Sequence, residues 1–328
     1  MKVSITSVHV IFFNIHQCSR MSRDSLSLLQ VAAIEGSCDV VQMILQPPRC
    51  VQIDARSRDG STALHLACRS TAVSGQEQAV IVRALVRAGA DVNATTLCGD
   101  TPMMLCCLNI KSVLPLRALL AAAGCNLAAC NTRGFTALHC AALSANPIVM
   151  RELLATTPSL DVDAKCKLGM TPLGALITFE DSCSPPASRD CIVACARLLL
   201  RAGASPLASV PIDSVPIDSP ALPPLVAAVS DLHVQMTALM LEHLDASSAE
   251  SWWWFNDVRK SVLHVLVFAT AAAVHAEADD TAFPVLLRML VARGASLTRP
   301  DANGRTPFAF ARMCSLRPEY CAMLRGAA

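Results

Sequence analysis

In three places a hydroxyl side chain is followed by two apolar residues and then a histidine: Thr62 to His65, Thr136 to His139 and Ser261 to His264. An imidazole beside a hydroxyl could serve as a general base, and several imidazoles together could bind a metal. Their separations, 74 and 125 residues, do not suit one site built from local sequence. No GxSxG elbow and no local Cys–His signature accompanies them. Phosphate-cradling loops of the GxxxxGK[ST] or GxGxxG kind are also absent from the sequence. Cys191 and Cys195 share one helix face at their spacing, but no third ligand is near them in sequence. The acidic pairs Glu180-Asp181 and Asp279-Asp280 read as solvated loop charges. No catalytic residue, cofactor site or metal site follows from these groups.

The elements that would hold such side chains are suggested by composition. The 328 residues are 53% hydrophobic with Ala and Cys counted, yet only 4% aromatic and 16% charged. That mixture favours closely packed helices over a β-sandwich. A net charge of +1 creates no global field toward nucleic acid or anionic lipid. The 16 cysteines contain no CxxC pair and fall in apolar stretches such as Met103-Met104-Leu105-Cys106-Cys107. They read as buried reduced thiols, so a cytoplasmic or nuclear compartment is expected. The longest apolar run, Val262–Ala276, is shorter than the ~18–20 residues that cross a bilayer. Residues 1–20 form a poor secretory signal and read as a disordered or untranslated extension before Met21.

One phrase recurs along the chain. DGSTALHLAC (59–68), GDTPMMLCC (99–107), RGFTALHCAA (133–142), LGMTPLGAL (168–176) and NGRTPFAF (303–310) align on Thr62, Thr101, Thr136, Thr171 and Thr306. The first three intervals are 39, 35 and 35 residues, and the last, 135, has room for two degenerate copies. ALPPLVAAV (221–229) and KSVLHVLV (260–267) fill it, and SLSLLQVAA (25–33) opens the series. A second phrase, such as AVIVRALVRAGADVNA (79–94) or LLRMLVARGASL (286–297), follows most copies with apolar residues at three and four. Gly89, Gly124, Gly203 and Gly294 fall where a left-handed helix C-cap needs glycine. The unit is turn, short helix, tight connection, second helix, glycine stop.

These motifs resemble the ankyrin repeat family, whose unit of about 33 residues carries T-P-L-H-x-A. The resemblance runs from about residue 25 to 328 and implies an all-α solenoid of about eight stacked units with short β-turn fingers. Repeats are expected to start near 25, 57, 96, 131, 166, 218, 256 and 301. Extra residues near 71–78, 180–190 and 275–283 fall between the two helices of a unit and are expected to project from one edge. The tandem VPIDSVPIDS lies in an irregular loop over 207–219. By the same resemblance His65, His139 and His264 satisfy a buried turn through Thr62, Thr136 and Ser261, with Thr101, Thr171 and Thr306 as the other motif hydroxyls.

Partner contacts in the family come mostly from the fingers and the exposed face of the first helix. Phase then selects Arg56, Arg58, Asp59, Ser61 and Arg69 in the second repeat, and Thr132, Arg133 and Phe135 in the fourth. It selects Lys165, Lys167, Leu168 and Met170 in the fifth, and Phe255, Asp257, Val258, Lys260 and Phe268 in the seventh. Several bases with apolar neighbours suit an acidic, partly apolar peptide or domain. The same charges could simply keep an Ala-rich stack soluble. SWWWFNDVRK (251–260) holds all three tryptophans. Trp252 has the phase of Val92 and is expected inside. Trp253, Trp254 and Phe255 continue along the finger, either as a partner contact or packed beneath neighbouring loops.

The expectation is a monomeric, non-catalytic protein-interaction module or scaffold, without nucleic acid, membrane or cofactor. A substrate-recruiting adaptor of a ubiquitin ligase is the alternative, although no recruiting box is visible after Ala311. An enzyme with a site built from the insertions is the remote one.

Overall fold

A computed structural model of the chain describes residues 26–46, 51–109, 112–156, 160–178, 189–208, 222–244, 261–276 and 280–326. Hydroxyl side chains head the first helix of most repeats. Thr101 Oγ1 accepts from the Met104 N–H at 3.3 Å, Thr171 Oγ1 from Gly174 at 3.2 Å and Thr306 Oγ1 from Ala309 at 3.3 Å. Each supplies an acceptor to a helix start that otherwise leaves amide donors unpaired. Proline at the first helical position, Pro102 and Pro307, loses no bond there. Left-handed glycines follow the second helices, at φ 95° for Gly89, 96° for Gly203 and 95° for Gly294.

The chain divides into two compact units, the first comprising Met1–Lys167 with Phe179–Leu198 and the second Leu168–Thr178 with Leu199–Ala328. The described helices of the first are α1 (Leu28–Glu35), α2 (Cys38–Leu45), α3 (Ala63–Arg69), α4 (Gly75–Arg87), α5 (Pro102–Leu108), α6 (Leu114–Leu120), α7 (Ala137–Leu143) and α8 (Pro147–Thr156). The first helices α1, α3, α5 and α7 pack in succession, and the second helices α2, α4, α6 and α8 form a parallel layer. After α9 (Pro172–Thr178) and α10 (Arg189–Arg201), which runs across the division, come α11 (Pro224–Ser230), α12 (Val234–Glu242), α13 (Val262–His275), α14 (Ala282–Ala292), α15 (Pro307–Met313) and α16 (Pro318–Gly326). In the second unit α9, α11, α13 and α15 form one row, and α12, α14 and α16 the other. Among the described residues there is no strand, and no helix is long and apolar enough to cross a membrane.

The insertion expected near 71–78 is partly helical. Gly75–Gln78 form the first turn of α4, which Ser74 and Glu77 cap reciprocally. The Gln78 amide then donates to the Ala67, Cys68 and Ser70 carbonyls at 2.8–3.1 Å, closing the C-terminus of α3. The first helix of the seventh repeat, α13, also runs long, 14 residues to His275 where an insertion was expected to begin, and its later turns bury Ala269, Thr270 and Ala271. Inserted residues that can cover apolar surface continue a helix because each further turn adds bonds without new nucleation. In the insertion expected near 180–190, helix α10 starts at Arg189, and residues 180–188 lie outside the described residues, as do 209–221 and 1–25.

Neighbouring repeats meet backbone to backbone at their fingers. The Leu97 N–H donates to Asp59 O at 2.9 Å, Thr132 to Cys98 O at 3.0 Å and Lys167 to Arg133 O at 2.8 Å. Gly60, Gly99 and Gly134 allow that approach, with φ of 80°, 77° and 79°. A Cβ on Gly99 would lie 2.9 Å from Thr132 N, and one on Gly134 2.8 Å from Lys167 N. Gly124 has φ 80° as well but nothing within 4 Å. Gly124→Ala should therefore cost only the left-handed penalty of about 1–2 kcal/mol. Gly99→Ala should cost roughly 3 kcal/mol, because it also breaks the bond between fingers. Urea denaturation followed by circular dichroism would show the ordering Gly99→Ala below Gly124→Ala below wild type.

Candidate interaction surface

The histidines at the heads of α3, α7 and α13 have their ring nitrogens engaged. His65 Nδ1 accepts from the Thr62 N–H at 3.1 Å and lies 2.9 Å from Thr62 Oγ1. An Nδ1 that accepts from an amide carries no proton, so Nε2–H is the donor to Asp100 O, 3.0 Å away in the next repeat. His264 repeats this with Ser261 and the Arg305 carbonyl at 2.9 Å, and His139 Nδ1 accepts from Thr136 N–H at 3.2 Å. All three rings are fully buried. His65 and His264 tie one repeat to the next, and with Nδ1 accepting from an amide none of the three has a lone pair aimed at a substrate. Among the described residues no three His, Cys, Asp or Glu side chains gather as a metal site would require. Cys106, Cys107 and Cys140 are buried, and desolvation pushes their thiols well above the usual range. Cys125 is pushed up to about 11, again mainly by burial.

The fingers sort their side chains by position. The residue immediately before the motif threonine turns inward, as Ser61, Phe135 and Met170 show at 1%, 3% and 2% exposure. Phe135 and Met170, expected as partner contacts, are therefore core residues, and Phe135 stacks on His139 with centroids 5.4 Å apart. The backbone is returning into its helix at this point, beneath the adjoining finger. Two other rows face solvent. Four residues before the threonine stand Arg58, Leu97, Thr132 and Lys167, and six before it Arg56, Thr95, Cys130 and Lys165, all exposed. Phe268 is also exposed, on α13 of the second unit. Trp252, Trp253, Trp254, Phe255, Asp257, Val258 and Lys260 lie outside the described residues.

Arg69, at the end of α3, and Arg133, on the fourth finger, come together. With Asp100, Asn131, Thr132, Leu105 and Leu108 they line a groove of about 60 Å³ in the first unit, between the fingers and the first-helix row. That space admits a side chain rather than a whole cofactor. Asp100 is held by the Asn131 amide at 2.7 Å. Burial raises its carboxyl pKa, with the Asn131 bond and both arginines opposing the rise. Asp59 accepts from the Ser57 and Ser61 hydroxyls and the Ser61 N–H, and these bonds overcome burial to lower its pKa. Both finger carboxylates are thus committed inside the turn, while Arg56 and Arg58 remain exposed; Arg56 bridges to Thr95 O at 2.6 Å. Leu97, 74% exposed, was missed by the reading of the sequence. Comparing its position with Arg58, Thr132 and Lys167 would have found it.

A family model described as ankyrin repeats, three copies, matches residues 5–96, 28–120 and 71–167. The putative ankyrin repeat protein YahD of Escherichia coli K12 is 33% identical over 177 residues, covering 54% of this chain and 79% of that protein. The chain is an ankyrin repeat protein. NF-kappa-B inhibitor zeta of Bos taurus is 29% identical over 188 residues, 51% of this chain, and the human protein 28%. The chain spans about a quarter of the length of both. An ankyrin repeat domain from Acinetobacter baumannii superposes with a TM-score of 0.52 at 28% identity, covering 66% of this chain and 96% of that one. The human ASB11 ankyrin repeat domain gives 0.52 at 20% identity, covering 92% and 98%, a likeness of fold.

The buried imidazole of this ankyrin protein also makes stability depend on pH. Desolvation, opposed by the Asp100 and Ala94 carbonyls, sets the His65 pKa below its usual 6.5. The unfolded chain binds that proton first as pH falls, so the His65 contribution is complete above about pH 6.5 and declines below it. The urea midpoint should stay level from about pH 8 to 7 and fall toward pH 5.5. His65→Gln should be less stable near neutrality and show a shallower fall, with His139 and His264 still in place. An unchanged slope would assign the dependence to other groups.

Proposed function

We propose that this ankyrin protein binds another protein through the fingers and groove of its first unit, without catalysis, as an interaction module or scaffold. The ligand is an acidic, partly apolar segment. The observation carrying this reading is the pairing of Arg69 and Arg133 around a small groove floored by Leu105 and Leu108. A carboxylate entering there meets two guanidiniums against one already bonded aspartate, in a partly desolvated space where charge-assisted bonds are strong. Ankyrin repeats are protein-interaction modules, and the similarity to part of NF-kappa-B inhibitor zeta supports a protein ligand. The buried free thiols support a reducing compartment, cytosolic or nuclear.

Quantitative mass spectrometry of proteins crosslinked to the intact chain in cells would identify the ligands. Arg69→Glu with Arg133→Glu should reduce their capture by at least about tenfold. Arg83→Glu, an exposed change on the second-helix row, should leave it within about twofold. Equal capture by all three forms would overturn the reading.

A further inference from the structure

The two solvent-facing rows on the fingers of the first unit have a composition that the groove does not explain. Both rows begin and end with a cation: Arg56 and Arg58 on the second finger, Lys165 and Lys167 on the fifth. The members between them, on the third and fourth fingers, are uncharged, and one, Leu97, is a large apolar side chain with most of its surface in water. Leu97 is not left there by looseness. Its amide is bonded to the Asp59 carbonyl, and a Cβ on Gly60 would lie 3.4 Å from its Cγ, so its stem rests against the neighbouring finger.

Within the two rows every charged side chain is a cation, and the exposed carboxylates of the fingers, Asp54, Asp91 and Asp161, stand before the rows. Asp59 and Asp100 are turned inward and bonded, and Asp54 and Asp91, which precede the tips, accept from the backbone amides of Asp91 and Asn93. Resting on the reading of the first unit as a protein-binding surface, we infer that the fingertips form a track for an extended peptide with acidic residues at both ends and one apolar residue off-centre. The geometry sets the spacing. Adjacent helices of a row pack roughly 8–10 Å apart, so three steps from second to fifth finger span roughly 24–30 Å. An extended chain covers that length in about eight or nine residues. Leu97 is one step from the Arg56–Arg58 end. The apolar residue therefore falls about three residues from one acidic end and about six from the other. The apolar contact at Leu97 supplies burial, and the flanking bases fix register and discriminate against basic segments.

Fluorescein-labelled synthetic 12-residue peptides provide the test, read by anisotropy with the full chain. The parent carries an acidic pair, a leucine three residues on and a second acidic pair six residues beyond, with Gly and Ser elsewhere. Replacing its leucine by serine, or its acids by asparagine and glutamine, should each weaken binding by about tenfold. Leu97→Ser should weaken the parent by a similar factor and leave the leucine-less peptide unchanged. Arg58→Ser with Lys167→Ser should reduce both binding and its salt dependence. These side chains are exposed, and circular dichroism establishes that each variant folds. Failure of the parent to bind, equal binding with and without its leucine, or tighter binding of a 12-nucleotide single strand would each overturn the track. If the Arg69 and Arg133 variant loses its protein ligands while Leu97→Ser changes no peptide affinity, the groove stands and the fingertip track does not. If neither set of changes matters, both fall.

Discussion

A finger projecting from a helical stack exposes backbone that no helix or sheet satisfies, and the neighbouring repeat satisfies it. The Leu97, Thr132 and Lys167 amides each donate to the finger before. From within, the His65 ring donates to the carbonyl of Asp100, and the Gln30 side chain does the same for Ala55 and Ser61. Buried backbone groups must be paired, so each repeat is finished only when the next is in place. The short first helices make this dependence stronger. Seven residues are too few to hold a helix unaided, and what stabilises α3, α5 and α7 is the row they pack in.

That arrangement also determines what is available for recognition. With carbonyls and amides used between fingers, and Ser61, Phe135 and Met170 turned inward, the positions four and six before the threonine remain in water on the second to fifth fingers. Whatever occupies them is freed from structural duty in the turn. Charges placed there cost the fold little, and an apolar side chain placed there gains burial only from something outside the chain. Arg69 and Arg133 differ, because they sit half-buried where finger and helix meet and share a carboxylate.

Residue types that elsewhere perform catalysis act here as packing and bonding groups. Imidazole suits the helix start because it accepts at one nitrogen and donates at the other across about the width of a turn. Thiols fill narrow space between closely stacked helices, and burial keeps them protonated.

Much of this was legible in the sequence because it is periodic. The threonines, the left-handed glycines after the second helices and the histidines hold the same phase in every unit that carries them, and each answers a local geometric demand that any copy of the motif would meet. Arg56, Arg58, Lys165 and Lys167 were found on the surface for the same reason. Phe135 and Met170 were read outward because finger residues were treated as one class, whereas the chain reverses direction there and alternate side chains enter the core. The helical form of residues 75–78 also depended on tertiary structure, since Gln78 closes α3 only once the two helices pack. The phase of Leu97 was legible beside Arg58 and Lys167, but that its stem rests against the second finger is decided only by the packing of adjacent fingers. Local pattern specifies each turn, but which neighbours a side chain meets is decided by residues some 35 positions away.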